Sequence, residues 1–226
     1  MFNDIVNSAT ELLSAIRLSF KLDSARLLEV SLQVNYSEIV ILSGPSGSGK
    51  TTLLRTLARM HPRIEGIMKL EGKNCMEIPP VKWRRNISYL SQYPAMLPGT
   101  VYDNLFYPCT LAVSRTSDFN KQLAIDLMQE LGIPGEFMLK DAAVLSGGEQ
   151  ARIALIRTLL AEPKIILADE ITAPLDDKNA YAVVNLLNRW VKGCGLSVIV
   201  VAHSPERWEK VIDREYNIAE MTEGTE

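Results

Sequence analysis

The run Gly44, Pro45, Ser46, Gly47, Ser48, Gly49, Lys50, Thr51 and Thr52 constrains this chain more than any other segment. Closely spaced glycines let successive backbone N–H groups turn inward as a nest for an anion. A helix starting at the lysine adds its positive N-terminal end to the same spot. The apolar residues 39–43 before the run read as a buried strand, and 51–60 after it as a helix stopped by His61 and Pro62. Strand, glycine loop and helix together form a P-loop, which cradles phosphates. Lys50 is placed to reach the outer phosphates, and the Thr51 hydroxyl to ligate a divalent cation.

The rest of the chain fits an α/β domain with a largely parallel sheet. Residues 165–168 and 197–202 are further apolar strands. Between them Val183, Val184, Leu186, Leu187, Trp190 and Val191 make one helical face, closed by Gly193 and Gly195. The middle, from about Tyr93 to Gly148, is Pro-rich at its start and has a helical pattern over 121–131 but few strand patterns. It reads as a helical subdomain (93–148) inserted in one domain (1–226) whose α/β core is 11–92 and 149–220. Near the N-terminus Phe2, Ile5, Val6, Ala9, Leu12, Leu13 and Ile16 lie at helical spacing, and a packing helix, or one running into a first strand, is expected there.

Composition narrows the function. The 226 residues carry a formal net charge of −3, so nothing favours general binding of nucleic acid. The cluster Lys82, Trp83, Arg84, Arg85 reads as a solvated approach to a strand rather than a nucleic-acid patch. Cys75, Cys109 and Cys194 are scattered, without the spacing of a zinc site, and fit a reducing compartment. No apolar run approaches the roughly 20 residues that span a bilayer.

Two further motifs carry chemistry. The strand at 165–168 ends in Asp169 and Glu170; the first can hold the cation's shell and the second can polarise an attacking water. Leu145, Ser146, Gly147, Gly148, Glu149 and Gln150 open a helix with apolar Ile153, Ile156, Leu159 and Leu160. A serine and two glycines at a helix N-terminus are a second anion site.

LSGGEQ resembles the signature motif of the ABC ATPases, and the order of elements is similar to that family over nearly the whole chain. The resemblance implies a P-loop NTPase (RecA-like) core, with an inserted helical subdomain and an N-terminal antiparallel β part. It implies ATP and Mg²⁺ as ligands, Gln92 as the Q-loop glutamine linking the metal site to the helical subdomain, and His203 as the switch histidine at the γ-phosphate. Residues 173–176 resemble the D-loop, although Pro174 is unusual there, and Ile171 replaces a customary proline. Phe20 stands where the adenine-stacking aromatic lies. In this family two subunits meet head to tail, so Ser146, Gly147, Gly148 and Glu149 serve the partner's ATP.

The partners implied are a second ATPase subunit, expected to be identical, and an integral membrane permease. The chain would then sit on the inner face of the cell membrane. The segment 92–104, Asp169–Thr172 and Leu155–Arg157 are similar to small ATPases of bacterial iron-export systems, and the apolar Met96, Leu97 and Phe106 are expected to dock on the permease. A soluble ABC ATPase in cofactor or complex assembly is the other class; repair types need long coiled coils, and only about 95 residues separate P-loop and signature.

Overall fold

The computed structural model describes residues 11–24, 26–63, 65–112 and 118–222. Strands β1 (Glu11–Lys21) and β2 (Leu27–Asn35) open the chain, followed by β3 (Ile39–Ser43) and helix α1 (Lys50–Leu57). Then come β4 (Glu65–Leu70), β5 (Lys73–Asn74), α2 (Pro80–Asn86) and β6 (Ile87–Leu90). Helices α3 (Val101–Thr110), α4 (Lys121–Glu130) and α5 (Gly147–Leu160) precede β7 (Ile165–Asp169). The chain continues through α6 (Asp177–Cys194), β8 (Ser197–Val201), β9 (Arg214–Asn217) and α7 (Ile218–Thr222).

Two sheets result. One is antiparallel, in the order β2-β1-β4-β5; the other is parallel, in the order β6-β7-β8-β3-β9. Side chains alternate across a strand, so the register of the parallel sheet sorts its residues into two rows. Ile39 lies beside Val198, which lies beside Ile166; this row packs with α3, α4, α5 and α6. Val40 lies beside Ile199, which lies beside Leu167; this row packs with α1 and the antiparallel sheet. Both faces are therefore dry, which is why these strands are continuous apolar runs.

The region 93–148 holds helices and short 3₁₀ turns, and its one β contact among the described residues is a bridge between Thr100 and Asp141. Val101, Leu105, Ala124, Leu127 and Met128 share one continuous core with α5, α6 and a face of the parallel sheet.

Three expectations are corrected. Residues 11–16 are strand, not helix, while residues 1–10 lie outside the described set. Leu12, Leu13, Ser14 and Ala15 are all buried because β1 runs between β2 and β4 with both faces covered, which erases the alternation that marks a strand. A bulge sits at Arg17 (φ 48°), whose carbonyl oxygen would lie 2.2 Å from any Cβ on Gly66 (φ 90°); only glycine fits opposite it. The cluster Lys82 to Arg85 lies in α2, which leads into β6, and it is not solvated throughout. Trp83 is fully buried there, and its indole N–H donates to the Leu57 carbonyl at 2.8 Å, closing the end of α1. The third is α1 itself, which ends at Leu57 because Arg59 adopts φ 56°.

One buried polar residue fastens the helical region. Asn104 donates to the Leu97 and Thr100 carbonyls and accepts from Leu97 N–H (2.8 Å) and the Arg157 guanidinium (3.0 Å). Arg157 also donates to the Ala95 carbonyl at 3.0 Å, so the loop after β6 is tied to α5. Asn104→Ala leaves several of these groups unpaired and should cost about 3 kcal/mol, read as a lower urea midpoint with an unchanged slope.

Candidate functional site

The site forms where β3, β8 and β7 end side by side. The loop from Gly44 to Gly49 leaves β3 and turns into α1 with Gly44, Gly47 and Gly49 at positive φ. Gly49 is the N-cap (φ 100°), and a Cβ there would meet the Leu28 side chain at 2.6 Å. The first turn of α1 contains no acidic residue of its own to offset its positive end. Lys50 donates to the Gly44 carbonyl (2.7 Å) and the Pro45 carbonyl (2.8 Å), its ammonium folded over the loop. The hydroxyls of Ser43 and Ser48 are buried without a hydrogen-bond partner. Orphaned donors in a glycine nest suit phosphate oxygens.

A cavity of about 600 Å³ runs from this loop to the ends of β7 and β8. Gly44, Ser46, Gly47, Gly49, Lys50, Thr51, Thr52, Glu170 and His203 line it. Thr51 donates to Asp169 Oδ1 at 3.0 Å, which joins the loop's helix to the end of β7. Two hard oxygen ligands side by side next to a phosphate cradle fit Mg²⁺, which keeps most of its shell as water and phosphate. Glu170 follows in a left-handed conformation (φ 52°), its N–H donating to the Val201 carbonyl at 2.9 Å. For a non-glycine residue this is a strained backbone, and it turns Glu170 into the cavity wall.

Other expected residues lie elsewhere. Gln92 is two residues past β6 and outside the cavity wall. Ser146, Gly147, Gly148 and Glu149 form the start of α5, away from the cavity of their own chain. There Ser146 accepts from the Glu149 N–H, and Glu149 accepts from the Ser146 N–H at 2.7 Å, a capping box. That backbone N–H is the main reason the Glu149 carboxyl is held below its usual range.

Phe20 is a correction. It is fully buried within β1, paired with Leu28, and has no free face for a nucleotide base. The chain clears the core two residues later, and Leu22 is the side chain from this strand end that lines the cavity.

Sequence reasoning missed several polar partners. Tyr89 donates to Asp169 Oδ2 at 2.7 Å and accepts from Arg55 Nε at 3.2 Å. Arg152, buried beneath the start of α5, donates to the carbonyls of Gly148 (3.1 Å) and Leu131 (2.7 Å) and to Asn179 Oδ1 (2.8 Å). Burial holds its pKa below the usual value. Asn179 in turn bonds Asp176, the N-cap of α6. No local pattern marks the pairs Tyr89–Asp169, Arg55–Tyr89, Arg152–Leu131 and Arg152–Asn179, because their members come from distant parts of the chain.

Strand, nest, lysine and an acidic strand end define a P-loop nucleoside triphosphatase. The chain belongs to the ABC transporter family, whose model matches residues 27–173. It is 33% identical over 204 residues to the "Probable iron export ATP-binding protein FetA" of Escherichia coli strain K12, covering 89% of each chain. It is also 30% identical over 194 residues to the phosphate import ATP-binding protein PstB of Campylobacter jejuni, covering 83% of this chain and 78% of that one. Among solved structures it is similar to the dimeric post-hydrolysis state of the ATP-binding cassette MJ0796 bound to ADP and Pi. The TM-score is 0.80 at 25% identity, over 91% of this chain and 94% of that one. The chain is an ABC transporter ATP-binding subunit that binds and hydrolyses ATP. No described helix is long and apolar enough to cross a membrane.

Lys50→Ala removes the ammonium folded over the cradle. Affinity for a fluorescent ATP analogue should drop at least tenfold while the unfolding midpoint stays within a few degrees of wild type.

Proposed function

We propose that this subunit works as a head-to-tail pair of identical copies on the inner face of the cell membrane, energising export of a metal ion, iron foremost, through a separate permease. Each ATP lies between the P-loop of one copy and the Ser146–Gly148 start of α5 of the other. The observation that supports this is the position of that helix start: Ser146 and Gly147 are exposed, and no residue of 146–149 lines the cavity of its own chain. An exposed helix N-terminus with two glycines offers backbone N–H groups to a phosphate brought by a second copy.

At the edge of the cavity Thr51 and Asp169 would hold Mg²⁺, which would supply positive charge to neutralise the phosphates. Lys50 and the loop N–H groups hold the phosphates. Glu170 orients and polarises the attacking water, and His203 donates to the γ-phosphate as charge develops there. Gln92 stands between this site and the helical region, where its movement can follow the bound nucleotide.

A surface groove of about 380 Å³ between α2, β6, α3 and α5 is the docking place for the permease. Met60, Val81, Tyr107 and Leu111 are exposed apolar side chains along it, and Arg84 and Arg85 edge it. Two of the side chains expected to dock have partners within the chain. Phe106 stacks on Tyr102 and meets Phe119 edge-on, and Met96 packs on the core, so both support the helical region itself. The metal cargo rests on the likeness to the iron-export protein; importers of phosphate and of molybdate or tungstate are about as similar.

Glu170→Gln keeps the shape of the side chain and removes its charge. It should bind ATP normally, lose turnover by roughly 10²-fold or more, and elute as a dimer with ATP on size-exclusion chromatography. A variant that stays monomeric with ATP, or hydrolyses normally, removes the role given to Glu170 and the two-copy site. For the partner, Tyr107→Asp should leave ATP binding intact but abolish co-purification with an integral membrane protein from solubilised membranes. ATP-driven iron uptake into inverted membrane vesicles should vanish with it. If wild type recovers only soluble partners, the chain serves complex assembly instead; if such vesicles carry phosphate or oxyanions and no iron, the metal reading falls.

A further inference from the structure

The carboxylate at the end of β7 is held from two sides. Asp169 is nearly buried, at 6% exposure. Its Oδ1 accepts from Thr51, and its Oδ2 accepts the short 2.7 Å hydrogen bond from the Tyr89 hydroxyl. Arg55 Nε donates to that hydroxyl at 3.2 Å, and its guanidinium lies 5.8 Å from the centre of the Tyr89 ring. Thr51 and Arg55 are four residues apart on α1, on one face of the helix. One helix thus reaches the same carboxylate twice, directly through Thr51 and indirectly through Arg55 and Tyr89.

The geometry points to Tyr89 as a positioning residue that fixes the plane of the Asp169 carboxylate for the divalent cation. This rests on the reading that Asp169 and Thr51 hold Mg²⁺. If both face the ion, their bond to each other is no longer what orients the carboxylate, and Tyr89 is the side-chain anchor that remains. A donor outside the coordination shell that orients a ligating carboxylate commonly governs metal affinity by an order of magnitude or more. Arg55 polarises the phenol, so the O–H is a stronger donor than an isolated tyrosine. The same ring lines the surface groove together with Met60, Arg84 and Tyr107. One residue therefore both lines the groove and holds the cation's carboxylate through its hydroxyl.

Two variants separate the hydroxyl from the ring. Tyr89→Phe keeps the packing and deletes the bond; Tyr89→Leu deletes both. Binding of a fluorescent ATP analogue is measured in EDTA and then across a Mg²⁺ titration. Both variants should bind the analogue within about twofold of wild type in EDTA, and both should need about tenfold more Mg²⁺ for half-maximal enhancement. If Tyr89→Phe follows the wild-type Mg²⁺ curve and only Tyr89→Leu departs, the residue acts by packing and the proposal is overturned. Weaker binding of Tyr89→Phe in EDTA overturns it too, since the damage is then to the cradle and not to the cation's ligand. A wild-type protein with no Mg²⁺ dependence sinks the cation reading itself, an outcome separate from the comparison of variants.

Discussion

Strand β8 carries no charge and is buried at all five positions, and the site depends on where it lies. It separates β3 from β7, so the loop that leaves β3 and the carboxylate that ends β7 are two strand spacings apart, about 9.5 Å. At that separation Thr51, on the first turn of α1, can still touch Asp169. His203 emerges between them from the end of β8. Removing a strand from between β3 and β7 would push the two halves of the cradle together, and adding one would part them.

The strands of this sheet were legible because burial on both faces writes them as apolar runs; β3, β7 and β8 match their expected limits to within one residue. The glycine loop was legible for a different reason, since positive φ at Gly44, Gly47 and Gly49 leaves few other residues able to stand there. Strand β9 was not seen: Arg214, Glu215, Tyr216 and Asn217 form a strand only because β3 offers an open edge beside them. Phe20 was misjudged because its pairing with Leu28 in β2 and the core it joins are unknown to a reading of β1 alone. Tyr89 and Asp169 are 80 residues apart in the chain, and the bond between them exists only once β6 and β7 have paired.

Helix α5 links the separate parts of the molecule. Its first turn is the exposed capping box at Ser146, and Arg152 one turn on ties it to Asn179 and so to the start of α6. Arg157 near its other end holds the loop that follows Gln92. Its apolar face lies in the core shared with the parallel sheet. The loop after Gln92 and the glycines at the start of α5 are thus joined by one helix, with hydrogen-bonded side chains at each end in addition to its apolar packing.

The parallel pairing of β3 also bears on how the chain is made. Val40 pairs with Ile199 on one side and with Arg214 on the other. Translation at about 5–20 residues per second therefore leaves β3 without either neighbour for roughly 8–30 s. During that interval β1, β2 and β4 can already pair, since all their partners lie within the first 74 residues. Four consecutive buried apolar residues of β3 must wait beside them with both edges open. Such a strand is a template for joining the wrong chain. On a polysome the most adhesive moment for this protein falls between completion of its first sheet and arrival of β8, and that is when a chaperone has most to gain by holding it.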